Sequence, residues 1–333
     1  MPRVSVILNC FNQADYVDDA VASVLAQTYA DLELLAVDNG STDGTAQRLS
    51  RHADDPHVRL FLHGDNVSIS RRFNEAVAAS RGEFVSFLYS DDRLLPHKLE
   101  RQLARFDALP ADIGVVYGPA LGENAATGEQ WTYGSVGMSG DVFADLMLRH
   151  TRGQIDMVTP LIRRTALLEH PFDEEVFAEG EAIFLRIALT HQFSYIDEPL
   201  VVLRDHGSNA GKAIVRNAEM NARALDLVRA HPALRPEQRP LVDRYQARLL
   251  SNYGWQGARL GADRRWIRRC LRSALRLAPL RAVDARFVGA AVLSSLPSAL
   301  TVAANRLGHR LRPHPGQRTL VAEYEGLAER PSP

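Results

Sequence analysis

Cysteine is nearly absent, with only Cys10 and Cys270 in 333 residues. Two thiols that far apart in sequence, with no Cys-x-x-Cys anywhere, exclude a disulfide framework and a thiolate zinc site, and fit a reducing compartment. Lysine is as scarce, Lys98 and Lys212 alone, so arginine carries nearly all the positive charge. No Gly-x-Gly-x-x-Gly follows the first apolar run and no Gly-x-x-x-x-Gly-Lys-Ser/Thr occurs, which removes the usual phosphate cradles of dinucleotide folds and P-loop NTPases. A removable leader is not expected either. The strand-like run Val4 to Leu8 follows Met1 too closely for a charged region, an apolar core and a cleavage site. Low-complexity segments are also missing. What is present is 46% hydrophobic and 24% charged residues, enough for one large domain or two smaller ones with real cores, which excludes disorder as the main state.

A net charge of −1 conceals a segregation: residues 1–257 sum to −10, 258–318 to +11 and the last fifteen to −2. Opposite signs in two stretches point to two regions with different partners.

Along the chain, Val4 to Leu8, Leu32 to Val37, Val58 to Leu62 and Phe84 to Tyr89 are short β-branched or apolar runs that read as strands. Helical spacing lies between them. Val17, Ala20, Val21, Val24 and Leu25 form one stripe, a short helix starts near Thr45, Phe73, Ala76 and Val77 mark a third, and a fourth follows Pro96. Strands alternating with helices predict an α/β fold, a mostly parallel sheet with helices on both faces. Ligands of such sheets sit beyond the carboxyl ends of the strands, and three of those ends carry Asn9 to Asn12, Asp38 to Asp43, and Ser90 to Asp92.

Beyond Ala120 the pattern weakens. Gly122 to Gly140 reads as loop, Val158 to Ile162, Phe193 to Ile196 and Leu200 to Leu203 as strands, and Glu181 to Leu189 as a helix. From Asn217 the pattern is helical to near Leu311, with breaks at Pro232, Pro236, Pro240, Pro279 and Pro297. The domain change is placed near residue 215, giving an α/β domain over 1–215 and a mainly helical region over 216–333.

Several motifs in register resemble a known family. Val4-Ser5-Val6-Ile7-Leu8, Phe11-Asn12, Gln27-Thr28-Tyr29, Asp31-Leu32-Glu33, Val37-Asp38-Asn39-Gly40-Ser41-Thr42-Asp43-Gly44-Thr45 and Gly82-Glu83-Phe84 resemble the family 2 glycosyltransferases of the GT-A fold, over roughly residues 3–210. The resemblance implies transfer of a sugar from a nucleotide diphosphate donor, a UDP-sugar favoured, usually with inversion and with Mg²⁺ or Mn²⁺. It places Asp38 against a uracil-type base, with Phe11, Asn12, Asp43 and Ser90 around the nucleotide. Arg71, with Arg72, lies where the family carries an Arg-Asn pair near the donor. The family's metal-binding Asp-x-Asp falls on Tyr89, Ser90 and Asp91, so the first carboxylate is missing and the ligands implied are Asp91, Asp92 and His206. The family's general base falls on Gly180, leaving Glu179 and Glu181 beside it as the catalytic candidates, and Arg204 matches a phosphate-holding arginine. Asp38 and Asp43 also have a plain structural reading, as residues that close an Asx turn and cap the helix at Thr45. The acceptor expected is a glycan or a lipid-linked chain, with no nucleic-acid partner. A different class of function stays open: a catalytically impaired relative that binds nucleotide sugar or glycan, or scaffolds a glycan-assembly complex.

Toward the carboxyl terminus, Trp266, Ile267, Cys270, Leu271, Ala274, Leu275 and Ala278 form one stripe, while Arg264, Arg265, Arg268, Arg269, Arg272 and Arg276 fill the rest. A basic amphipathic helix of this kind suits an anionic membrane surface, and the location expected is cytoplasmic or peripheral on the inner face of a membrane. The competing reading is a helix hairpin whose apolar stripe packs on a neighbour. Phe287 to Asn305 is uncharged, but Pro297 and its serines make it a poor spanning helix.

Overall fold

The computed structural model describes residues 1–133, 137–149, 155–175, 182–206, 214–279 and 284–296. The chain divides into two units, Met1–His206 with Asp226–Leu234, and Gly207–Leu225 with Arg235–Pro333.

In the first unit, Val4–Cys10 (β1) and Leu32–Asn39 (β2) are buried at every residue. Both faces of these strands are covered, which is why they run apolar without alternation. Between them Val17–Leu25 (α1) buries Val17, Ala20, Val21 and Val24, the stripe its spacing predicts. Thr45–Ser50 (α2), Val58–His63 (β3), Ile69–Ala79 (α3), Phe84–Tyr89 (β4), Arg93–Leu94 (β5), Lys98–Asp107 (α4) and Ile113–Tyr117 (β6) follow. Then come Ala120–Asn124 (β7), Gln130–Tyr133 (β8), Phe143–Arg149 (α5), Leu161–Arg163 (β9), Arg164–Glu169 (α6), Ile183–Ile187 (α7), Gln192–Tyr195 (β10) and Val201–Asp205 (β11). The main sheet has seven strands in the order β10-β6-β9-β4-β1-β2-β3, with β9 antiparallel to both its neighbours. A second sheet has the order β5-β11-β7-β8.

Three expectations are corrected. The stretch Gly122 to Gly140, expected as loop, contains the hairpin β7–β8, whose residues pair from Ala120↔Tyr133 to Glu123↔Gln130. Its turn is closed by Asn124 Oδ1, which accepts from the amides of Ala126 and Thr127 at 2.9 and 3.1 Å. The stretch shows no periodic signal because the hairpin's other pairing partner is β11, far along the chain. The strand expected from Val158 begins only at Leu161, since Pro160 has no amide to give a ladder. The short strand β6 and the helices α5 and α6 carry too few periodic positions to be read from spacing.

The helix Ile214–Ala230 (α8) begins in the second unit and ends in the first, while Arg239–Leu260 (α9), Arg264–Leu277 (α10) and Ala285–Ser295 (α11) are helices of the second; residues expected as helix beyond Leu296 lie outside the described ones. Asp263 caps α10 by accepting from the Trp266 amide at 2.9 Å. A Cβ at Gly257 would stand 2.6 Å from the Trp266 ring, so only glycine lets that indole seat on α9. Trp266, Ile267, Cys270 and Leu271 are buried in one cluster with Ala258 and Ala290. The apolar stripe of α10 is therefore turned inward, and Arg264, Arg265, Arg268, Arg269, Arg272 and Arg276 are exposed. Among the described residues, no helix is long and apolar enough to cross a membrane.

A polar pin holds α4 on the main sheet. Lys98 is 1% exposed, and its Nζ donates to Ser86 Oγ on β4 at 2.8 Å, to Gln102 Oε1 at 2.9 Å and to the Pro160 carbonyl at 3.3 Å. Burial pushes its pKa from 10.5 down to about 7. Between these two values the unfolded chain holds a proton that the native state lacks, so stability is expected to rise with pH from about 7 to 10.5, by linkage. Urea unfolding at stepped pH checks this: Lys98→Met is expected to remove that slope, and an equal slope in both proteins would refute it.

Candidate functional site

The strand order reverses at β1, with β2 and β3 on one side and β4 on the other, so a crevice is expected beyond the carboxyl ends of β1 and β4. The register fixes what lines it. Cys10 pairs with Asp38, and Asn9 pairs with both Val37 and Tyr89, so Asp38, Asn9 and Ser90 to Asp92 reach one edge together.

Asp38 is 1% exposed, and its Oδ2 accepts the Ser41 amide at 3.0 Å. Its Oδ1 is buried without a hydrogen-bond partner, as is Asn9 Oδ1. A buried acceptor left unpaired costs about 1–3 kcal/mol, so two of them at one strand edge mark a place built for donors from elsewhere. Asn12 holds the neighbouring loops together at φ 52°: its Oδ1 accepts the Thr42 amide at 2.8 Å and its own amide donates to Ser41 Oγ at 2.9 Å. Phe11, beside it, is 39% exposed. At Gly40, φ is +81° and a Cβ would lie 2.6 Å from the Asp65 carbonyl carbon, so this turn requires glycine.

The carboxylate of Asp43 is used within the loop, accepting from the amide and hydroxyl of Thr45 at 3.0 and 2.6 Å and from the Ala14 amide at 2.9 Å. Burial opposes its charge, yet these donors hold its pKa below the ordinary range. Of the two arginines on α3, Arg71 is exposed and pairs with Glu75 at 3.0 Å. Arg72 is the buried one, donating to Asn39 Oδ1 at 2.9 Å and to Asp65 Oδ1 at 2.7 Å.

At the end of β4 the second sheet delivers the remaining groups. β5 begins one residue after Asp92 and pairs antiparallel with β11, which sets Arg204 and His206 beside the Ser90 to Asp92 turn. The Arg204 amide donates to Asp92 Oδ1 at 3.0 Å, and His206 Nε2 lies 3.0 Å from Asp91 Oδ2. The His206 ring stacks on Tyr16 at 5.2 Å. The Arg204 guanidinium, 8% exposed, meets Asp19 at 2.5 Å and Glu123 at 3.7 Å. Ser90 is 3% exposed.

Sequence reasoning did not mark Asp156. It stands in the loop before β9, its Oδ1 accepting the Val158 amide at 3.1 Å. Burial and the charge of Asp91 push its pKa up, and burial, Asp91 and Asp156 together push that of Asp92 up. The buried Cys10 thiol is pushed up by burial and also by the charges of Asp38, Asp91 and Asp43. Hard divalent cations take oxygen ligands, and Asp91, Asp92 and Asp156 are oxygen donors whose like charges act on one another; in kind, they suit Mg²⁺ or Mn²⁺. Glu179 and Glu181 lie outside the described residues. A separate set of possible ligands, Glu169, His170 and His191, has ligand atoms within 4.8 Å of one another and shares no residue with this cluster.

Residues 5–154 match the family described as Glycosyl transferase family 2. A chain of Nostoc sp., an uncharacterized glycosyltransferase, is 30% identical over 233 residues, which is 62% of this chain and 66% of that relative. Both likenesses are to glycosyltransferases. The fold is similar as well: S. aureus TarS in complex with UDP superposes with a TM-score of 0.64 at 19% identity, covering 98% of this chain and 92% of that one. The Pyrobaculum calidifontis mannosyltransferase PcManGT, in complex with GDP-Man and Mn²⁺, gives 0.58 at 19% identity, covering 98% and 85%. The main sheet with its helices is thus a GT-A fold. The stretch matched in the Nostoc relative falls just short of two thirds of that protein's length.

Asn12 offers a direct check on the loop frame of the site. Asn12→Ala is expected to lower stability by about 1–2 kcal/mol, from the left-handed backbone and the lost bond to Thr42. Asn12→Gly, which keeps the backbone at ease, is expected to cost less. Urea denaturation of both reads the order, and a glycine variant less stable than the alanine one would contradict it.

Proposed function

We propose that this glycosyltransferase transfers a sugar, with inversion, from a uridine diphosphate donor to a hydroxyl of a glycan or lipid-linked acceptor. The observation that carries the reading is Asp38 Oδ1, buried and unpaired at the switch point of the sheet, beside the three carboxylates at the end of β4. An imide N–H of uracil or a ribose hydroxyl supplies the donor that this oxygen lacks. The TarS complexes with UDP and with UDP-GlcNAc support a uridine nucleotide, and the GDP-Man complex of PcManGT supports a nucleotide sugar in general.

Asp91 would hold a Mg²⁺ or Mn²⁺ ion with Asp92, Asp156 and His206 around it, and the ion would neutralise the diphosphate as it departs. Asp156 restores in space the carboxylate that Tyr89 removes in sequence. Phe11 and Asn12 wall the nucleotide pocket and Ser90 floors it. Asp43 and Arg204 act by holding the loops that carry Asp38 and Asp92, and Arg71 stands exposed at the donor's rim. In the reaction the acceptor oxygen forms its bond to the anomeric carbon, the bond from that carbon to the β-phosphate oxygen breaks, and nucleoside diphosphate leaves. The acceptor proton passes to a carboxylate, which we assign to Glu179 or Glu181.

Calorimetry with UDP and Mn²⁺ tests the nucleotide assignment. Asp38→Ala is expected to weaken UDP by about 1–3 kcal/mol, and unchanged affinity in the folded variant would remove it. Asp156→Asn is expected to weaken Mn²⁺ in the UDP complex; no change would return Asp156 to a structural part. For the base, Glu179→Gln or Glu181→Gln is expected to slow turnover roughly 10²- to 10⁴-fold with donor affinity kept. Full turnover in both variants would exclude the two residues.

We also place this chain in the cytoplasm against an anionic membrane, held by charge alone, because the apolar stripe of α10 is occupied internally. Each arginine near such a surface contributes about 1 kcal/mol, and the attraction fades within a Debye length of about 8–10 Å. Flotation with anionic vesicles is expected at low salt, to disappear at high salt and in a variant with Arg265, Arg268, Arg269 and Arg272 replaced by Gln. Equal flotation with neutral vesicles would end the claim.

A further inference from the structure

At the other end of the main sheet, a cluster of imidazoles takes no part in the proposed transfer. Arg163, the last residue of β9, pairs with Phe84 at the start of β4, and α6 leads from there to Glu169 and His170. His191 comes just before β10 and packs on Gly114, where a Cβ would stand 2.7 Å from the His191 Cβ. Gln192, the next residue, pairs with Ile113 at the start of β6. These groups therefore lie at the amino ends of the parallel strands, while Asp38 and Asp91 lie at the carboxyl ends.

The hydrogen bonds orient both rings. Thr190 Oγ1 lies 2.7 Å from His170 Nε2 and 2.8 Å from His191 Nδ1, and its own hydroxyl is 3.5 Å from the Ile187 carbonyl. One hydroxyl can accept an N–H from each ring while donating to that carbonyl. In that arrangement His191 keeps its lone pair on Nε2, and this atom faces Glu169 Oε2 at 3.8 Å. A lone pair opposite a carboxylate is a pair of acceptors with a cation's place between them. Fixing a ring through its other nitrogen is also how proteins prepare histidines as ligands. His231 packs on His170 at 5.1 Å between ring centres, and its Nδ1 accepts the Ala233 amide at 3.2 Å, so it forms a wall of the cluster. Burial keeps His170, His191 and His231 below the usual histidine range, His170 at about 4, so the rings are neutral at pH 7.

We propose that Glu169, His170 and His191 form a second metal site, distinct from the nucleotide site, for a borderline transition ion of the Zn²⁺ class. Two imidazoles and one carboxylate favour such an ion over Mg²⁺ or Mn²⁺, which prefer all-oxygen shells. Three protein ligands leave one position of a tetrahedron for water. Ligand atoms around Zn²⁺ stand about 3.4 Å apart, given bonds of about 2.0–2.1 Å. The ligand atoms here all lie within 4.8 Å of one another, and the exposed Glu169 side chain can close the remaining difference by rotation. A bound ion ties the end of α6 to the start of β10.

The test is metal titration of the full chain after chelation and desalting. Zn²⁺ by calorimetry and Co²⁺ by visible absorption are each expected to load one equivalent, with the intense d–d bands of four-coordinate Co²⁺, and Zn²⁺ is expected to raise the Tm. Glu169→Gln and His191→Gln are expected to weaken both ions at least about tenfold, while Asp91→Asn leaves them bound. Glu169 is 57% exposed, so Glu169→Gln decides the matter should the histidine variant not fold. No uptake of Zn²⁺ by the intact chain, or uptake that survives Glu169→Gln and is lost in Asp91→Asn, would overturn the proposal.

Discussion

The like charges of Asp91, Asp92 and Asp156 act on one another near the carboxyl end of β4, and the neighbouring polar structure is arranged around the problem of holding them. Burial and like charge raise the pKa of Asp92 and Asp156, so the native chain pays for bringing them together and must offset the repulsion locally. Part of the answer is the pairing of β5 with β11, which aims the Arg204 amide at Asp92 and seats His206 against Asp91. Arg204 can stay there because Asp19 and Glu123 take its own charge.

The nucleotide side is governed by the opposite condition, acceptors short of donors. Asp38 and Asn9 can be buried with unpaired oxygens because the surrounding loops are fixed independently of them. Asn12 joins the end of β1 to the loop after β2. Arg72 and Asn39 tie that loop to the segment before α3, and Gly40 lets the two pass at close range. A pocket whose walls are already held loses little further freedom when a ligand enters.

The two candidate metal sites separate by chemistry as well as by position. Carboxylates dominate the set at the carboxyl ends of the strands, with His206 beside them, and imidazoles dominate the set at the amino ends, so the first suits a hard cation and the second a borderline one. In the second unit the division is between apolar and charged faces: with Trp266 seated on Gly257, the helix α10 offers its six arginines outward, and of its apolar stripe Leu275 alone is exposed.

Strands β1 to β4 and helices α1 to α4 were legible in the sequence because periodic burial writes itself into residue type, and the family motifs named Asp38, Asp91 and His206 before any coordinates. The inward stripe of α10 was legible too, but not what would cover it. Asp156 and the hairpin β7–β8 carried no such signal, and of Asn9 only the polar strand end was legible, not its unpaired oxygen. A single aspartate in a loop has no period, a polar hairpin needs only a distant strand to pair with, and an unpaired oxygen is visible only when its surroundings are. The sequence by itself determined the alternating layout and which strand ends would be polar, since both follow from local pattern. Only the tertiary structure decided that Asp156 joins Asp91 and Asp92, and that Thr190 turns His170 and His191 toward Glu169, because those contacts depend on chain crossings no local pattern encodes.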